Sequence, residues 1–155
     1  MDYGLFIDNE DRAAATSAVF ERKNPVTGDR ASLAAAATAT DVDRAVNAAE
    51  AAFAGWSKTG PSEKRKILNK AADLLEERTP DFVAVGMKET GATAPWLGFN
   101  NMFAAKILRE AAAATTQIKG EVIPSDKPGS FSMALRQPVG VLVGMAPWNA
   151  PTILG

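Results

Sequence analysis

The 155-residue sequence predicts an α/β protein, on three observations. Thirty residues are alanine, the strongest helix former, and many sit in four segments whose larger apolar residues recur at helical spacing. The run 139–145 holds only Val, Leu, Met and Gly. Without polar alternation, such a run suits a strand buried on both faces of a parallel sheet. Short strand-like runs broken by Asn, Asp, Pro and Gly flank the helical stretch on both sides.

Taken in order, Leu5-Phe6-Ile7 followed by Asp8-Asn9-Glu10-Asp11 reads as a strand and a turn, with Ala18-Val19-Phe20-Glu21 returning antiparallel to it. Asn24-Pro25-Val26-Thr27-Gly28-Asp29 is turn chemistry, because Pro fixes φ and Gly permits positive φ. Residues 31–37 fit either a strand or a helix. The first helix opens at Thr40, with Asp43 three residues on as a variant capping box. Its apolar face is Val42, Ala45, Val46, Ala49, Ala52, Phe53 and Trp56. The second begins at Pro61 and presents Ile67, Leu68, Ala71, Leu74 and Leu75. The third starts at Thr79-Pro80-Asp81 and stops at Gly91, where a left-handed cap costs little. The fourth runs from about Thr93 to Lys119, with Trp96, Phe99, Phe103 and Ile107 close to one stripe. Pro124, Pro128 and Gly129 mark a loop, and 131–136 alternates as a half-exposed strand. Gln137-Pro138 precedes the apolar run, Pro147-Trp148-Asn149-Ala150-Pro151 ends it, and Thr152-Ile153-Leu154 opens another helix.

Composition excludes several chemistries. With no cysteine and no histidine, these residues hold no disulfide, no Cys/His zinc site, no thiol nucleophile and no imidazole base. Net charge is −1 with no block of like charge, and Lys64-Arg65-Lys66 reads as a solvated helix face, so no nucleic-acid partner is expected. No stretch approaches the ~18 apolar residues of a membrane span. The first residues carry no basic, apolar leader pattern, so a cytoplasmic location is expected.

Ligands in open α/β sheets bind beyond the carboxyl ends of parallel strands. Pro147, Trp148 and Asn149 stand at such a position. An asparagine amide can face a developing oxyanion without titrating, and tryptophan offers a flat apolar wall. The same residues also suit a structural turn, with Trp148 as a core plug. Gly140-Val-Leu-Val-Gly144 is not the dinucleotide fingerprint G-x-G-x-x-G, and no P-loop is present.

Four segments carry a resemblance: Asn24-Pro25-Val26-Thr27-Gly28, Ala71-Ala72-Asp73-Leu74-Leu75, Lys88-Glu89-Thr90-Gly91, and the motif from Arg136 through Pro138, Gly140 and Val141 to Pro147-Trp148-Asn149. Over nearly its whole length the chain resembles the N-terminal part of the aldehyde dehydrogenase superfamily. The stretches 91–100 and 123–127 look most like its aromatic-aldehyde branch, the salicylaldehyde, benzaldehyde and vanillin dehydrogenases. The resemblance implies an α/β fold made of a helical layer, antiparallel oligomerisation strands and the first strand of a Rossmann-like cofactor domain. It divides the chain into N-terminal strands and turns (1–38), the helical layer (39–120), an oligomerisation-type strand (121–137) and the first cofactor-domain strand with its loop (138–155).

It further implies oxidation of an aldehyde to a carboxylic acid with NAD or NADP, in a homodimer or homotetramer. Asn149 takes the role of oxyanion donor, Met145, Ala146, Pro147 and Trp148 that of cofactor-cleft wall. Trp96, Phe103 and the small Ala150 are assigned to the aldehyde channel, with core packing the alternative for the aromatics, Phe99 included. The nucleophilic cysteine, glutamate base and ribose-binding lysine of the family lie beyond these residues, so the 155-residue chain is expected to be inactive and aggregation-prone. Glu21, Glu89 and Glu121 are read as solvated, and Arg136 as a structural ion-pair or hydrogen-bond donor. The alternative is a non-catalytic helical interaction module, or a partner within an aldehyde dehydrogenase oligomer. An apolar strand at 139–145 lacking its neighbours argues against an independent module.

Overall fold

Local turn chemistry decides the N-terminal strands in the computed structural model, which describes residues 2–155. Strands β1 (Asp2–Tyr3), β2 (Leu5–Ile7) and β3 (Glu10–Arg12) come first. Asp8 and Asn9, with φ of 57° and 61°, form the two-residue turn that closes β2 onto β3, with Leu5 opposite Arg12 and Ile7 opposite Glu10. The strand β4 (Val19–Lys23) therefore does not return on β2. It pairs antiparallel with β5 (Arg30–Ala35) instead, because the nearer partner costs less loop entropy in each case. The 24–29 turn links them. Asn24 Oδ1 accepts the Val26 N–H at 2.8 Å, and Gly28 stands at φ 79°. Strand pairing thus resolves the ambiguous 31–37 stretch, and β1 joins β5 in parallel to give the order β1-β5-β4.

Helix α1 (Ala39–Trp56) starts one residue before the expected Thr40, and Thr38 is its N-cap. The sequence holds T-x-x-D in two registers, and burial selects the first. Asp41, only 2 % exposed, accepts Thr38 N–H at 2.9 Å, Thr38 Oγ1–H at 2.8 Å and the distant Ala15 N–H at 2.9 Å. Asp43 is exposed and has no such partners among the described residues. The expected apolar face of α1 is present in the pattern but largely uncovered, with Val42, Val46 and Trp56 exposed.

Helices α2 (Pro61–Glu77), α3 (Thr79–Thr90) and α4 (Ala94–Ala114) form the helical layer, with α4 against both others. Their contact is made of small residues. Ala72, Ala104, Ala105 and Ala112 are buried, together with Leu97 and the amides of Asn100 and Asn101. At Gly86 on α3, an added Cβ would fall 2.8 Å from Leu97 Cδ2, which shows how closely the two helices approach. Gly91 ends α3 at φ 69°, as its sequence position predicts. Helix α4 stops at Ala114, short of Lys119. There the Ala112 carbonyl is taken by Thr115 Oγ1 at 2.8 Å and by Arg65 Nε at 3.1 Å, and the helix is capped by side chains.

Beyond it, β6 (Glu121–Ile123) and β7 (Ser132–Ala134) form an antiparallel hairpin exposed on both faces. The 139–145 run enters no sheet among the described residues, and Val139, Leu142, Val143 and Met145 are exposed. Its sequence is strand-like, but a strand is completed only by a neighbour's N–H and C=O groups. A single turn, α5 (Pro151–Leu154), ends the chain against α4. No helix is long and apolar enough to cross a membrane among the described residues.

Candidate functional site

Two elements build the site, the N-terminal half of α4 and the 147–150 loop. Thr93 caps α4, its carbonyl accepting the Leu97 N–H at 3.1 Å, and Pro95 follows in the first turn. Leu97, Asn100, Asn101, Ala104 and Ala105 face inward. The opposite side carries Trp96, Phe99 and Phe103 as a continuous exposed stack. Trp96 and Phe99 lie 5.7 Å apart at 25°, and Phe99 and Phe103 lie 5.6 Å apart at 13°. Edge-shifted stacking of this kind fixes each ring plane through its neighbour.

The loop is set against this stack. The Trp96 indole N–H donates to the Asn149 backbone carbonyl at 3.4 Å. Ala150 follows, 7 % exposed, as the N-cap of α5, and its carbonyl accepts the Leu154 N–H at 3.1 Å. The Asn149 side-chain amide is exposed and bonded to no described residue. The structure thus brings together Asn149, Ala150 and Trp96, with Phe103 joined to them through Phe99. Ala150 is buried rather than open.

Ala146, Pro147 and Trp148 line a cleft of about 420 Å³ with Phe82, Leu97, Asn101 and Thr152. Met145 stands apart from that cleft, 92 % exposed, and Trp148 is 74 % exposed, so Trp148 is no core plug. Arg22 and Glu89 bring charge to the far side of the cleft. Glu89 is half-buried and accepts the Ser32 hydroxyl at 2.5 Å, tying α3 to β5, so the expectation that it is simply solvated does not hold. Burial, then the Glu89 charge, pushes the Tyr3 hydroxyl above its usual value. Arg136 is exposed and has no ionic partner among the described residues. No cluster of three or more His, Cys, Asp or Glu that could hold a metal occurs among the described residues.

Several residues that shape the site are not singled out by the sequence pattern. Asn100 Nδ2 donates to the Trp96 carbonyl at 2.9 Å, and Asn101 Nδ2 to the Leu75 carbonyl at 3.1 Å, both amides being 0 % exposed. Their Oδ1 atoms, and Thr152 Oγ1, are buried without a hydrogen-bond partner among the described residues. A signal for them exists. Leu97, Asn100, Asn101, Ala104 and Ala105 keep helical spacing, but the large aromatics on the other face outweigh them in any reading by apolar size.

Comparison with known proteins gives the family and the fold. Residues 12–155 match the family model described as the aldehyde dehydrogenase family. The vanillin dehydrogenase of Pseudomonas fluorescens is 55% identical over 155 residues, covering 99% of this chain and 32% of that protein. The salicylaldehyde dehydrogenase of Pseudomonas putida is 47% identical, covering 97% of this chain and 31% of that protein. The crystal structure of a salicylaldehyde dehydrogenase from Pseudomonas putida G7, complexed with salicylaldehyde, superposes with a TM-score of 0.97 at 46% identity, over 99% of this chain and 32% of its own. The chain spans about a third of the length of the relatives it matches.

Proposed function

Because the chain belongs to the aldehyde dehydrogenase family, we propose that it serves as the N-terminal third of an enzyme that oxidises an aromatic aldehyde to its carboxylic acid, with NAD or NADP as acceptor. The observation that carries this reading is the Trp96–Asn149 contact, which couples a three-ring aromatic stack to an unbonded amide. Vanillin and salicylaldehyde dehydrogenases among the relatives support the aromatic substrate class.

The chemistry of this chain's share follows from its side chains. Asn149 Nδ2–H donates to the aldehyde oxygen as that oxygen gains negative charge, and a neutral amide does so at any ordinary pH. The nucleophile comes from outside these residues, since the chain holds no cysteine, and the base is assigned to a glutamate outside them as well. Trp96, Phe99 and Phe103 offer ring faces to an aromatic aldehyde. Met145, Ala146, Pro147 and Trp148 are uncharged and mostly exposed, which fits one apolar wall of a dinucleotide site but supplies no phosphate anchor. NAD(P), when bound, accepts a hydride. We assign the β6–β7 hairpin, exposed on both faces with Val122, Ile123 and Met133 uncovered, to subunit contact in a homo-oligomer, and the enzyme to the cytoplasm.

The test is a chimera in which this chain replaces the matching third of the Pseudomonas putida salicylaldehyde dehydrogenase, with folding checked by size and by a cooperative melt. The chimera should reduce NAD or NADP with benzaldehyde or vanillin. Asn149→Ala should lower kcat about 10²–10³-fold. A folded chimera with no activity, or an Asn149→Ala variant with full kcat, refutes the reading. So does aldehyde-dependent NADH production by the 155-residue chain alone.

A further inference from the structure

We propose that Trp96 is a positioning residue for the Asn149 amide, acting through its indole N–H rather than only as a ring wall. The inference rests on the oxyanion role given to Asn149 above.

Three contacts aim the indole edge. Asn100, fully buried, donates from Nδ2 to the Trp96 carbonyl at 2.9 Å and holds the backbone of that turn. Stacking on Phe99, itself stacked on Phe103, fixes the ring plane. The N–H then meets the Asn149 carbonyl at 3.4 Å. The next carbonyl, that of Ala150, accepts the Leu154 N–H at 3.1 Å, and Ala150 is buried. The loop is therefore pinned at two successive carbonyls, from α4 on one side and from α5 on the other. Between them the Asn149 side chain remains exposed and unbonded. Fixing that peptide plane helps to fix the direction in which the Cα–Cβ bond leaves the backbone, and with it the region that the amide can reach. An oxyanion donor misplaced by an ångström loses much of its effect, so a remote hydrogen bond on the backbone becomes a rate term.

Trp96→Phe in the chimera keeps an aromatic ring and deletes the N–H. We expect kcat to fall about threefold to tenfold, the equivalent of one net hydrogen bond. The fall should be alike for benzaldehyde and hexanal, with the benzaldehyde KM unchanged within about twofold. The double variant Trp96→Phe/Asn149→Ala should be no slower than Asn149→Ala, because the N–H acts through that amide. Unchanged kcat, a rise confined to the benzaldehyde KM, or losses that multiply in the double variant would each overturn the proposal. If instead Asn149→Ala retains full kcat, the oxyanion reading itself fails and this inference falls with it. A second measurement needs no activity. In the folded chimera the ¹⁵N-labelled Trp96 indole proton should exchange more slowly than that of Trp148, and equal rates would show that the bond is not held.

Discussion

Two of the family-like segments meet at one glycine, and that meeting can be weighed. Gly91 ends α3 at φ 69°, its N–H bonded to the Met87 carbonyl at 3.1 Å. A Cβ there would lie 2.8 Å from Pro25 Cγ and 3.2 Å from Val26 Cγ2, in the turn between β4 and β5. Gly91→Ala therefore carries two costs. The left-handed backbone costs about 1–2 kcal/mol for an L-residue, offset by about 0.4–1 kcal/mol from the stiffer unfolded chain. Pushing back a proline ring, which cannot rotate away, adds about 1–3 kcal/mol. Gly28 is the control, since it has φ 79° and nothing within 4 Å of an added Cβ. Gly28→Ala carries only the backbone cost. The two variants should differ by about 2 kcal/mol, or roughly 4–8 °C in Tm for a chain of this size. Urea unfolding followed by far-ultraviolet circular dichroism should show the shift in midpoint with the slope unchanged. Equal losses in the two variants would mean that the 24–29 turn is free to swing away and that its docking on α3 is not part of the fold's stability.

The pH dependence of stability should trace to Asp41. The Thr38 N–H bond leads in holding its carboxyl below the usual 3.8, against burial and with help from the Thr38 hydroxyl, the Ala15 N–H and Arg44. The unfolded chain therefore binds this proton more readily, so the contribution is complete above about pH 4 and is lost as pH falls through the lower folded value. Asp41→Asn should lower the urea midpoint near pH 7 and flatten its decline towards about pH 3; a wild-type acid slope in the variant would refute the assignment. Ala150→Phe in the chimera should raise KM for benzaldehyde more than for aliphatic aldehydes. Because Ala150 is buried, it should also cost about 1–3 kcal/mol by overpacking. Equal KM changes for both substrate classes would count against a place for Ala150 in the aldehyde path.

Where a feature depends on a few neighbouring residues, it is legible in the sequence alone. Pro61 and Thr79-Pro80 begin helices, Gly91 ends one, and Asn24 to Asp29 make a turn. The aldehyde dehydrogenase motifs are equally legible, because they are identities along the chain. Choices between equivalent local options are not. Thr38–Asp41 and Thr40–Asp43 offer the same cap, and only the distant Ala15 N–H decides for Asp41. Glu89 looks like any surface glutamate until Ser32, 57 positions away, is brought to it. The site divides the same way. Asn149 stands out by its motif, whereas the indole bond that orients it joins residues 53 positions apart.

By itself the sequence determined the family, the α/β class, the amphipathic helices, and the absence of any thiol or imidazole chemistry in these residues. Those properties are carried by residue identity and short-range spacing. Only the tertiary structure decided which apolar faces are covered. Periodicity marks Val42 to Trp56 and Trp96 to Ile107 as apolar stripes, yet both stay largely exposed, and the buried helix contact is made of alanines, Leu97 and two asparagines. The physical reason is that burial belongs to a pair of surfaces. A stripe records what one helix can offer, and small residues set where two helices can come closest. The same holds for 139–145, where the apolar run suits a strand but enters no sheet among the described residues.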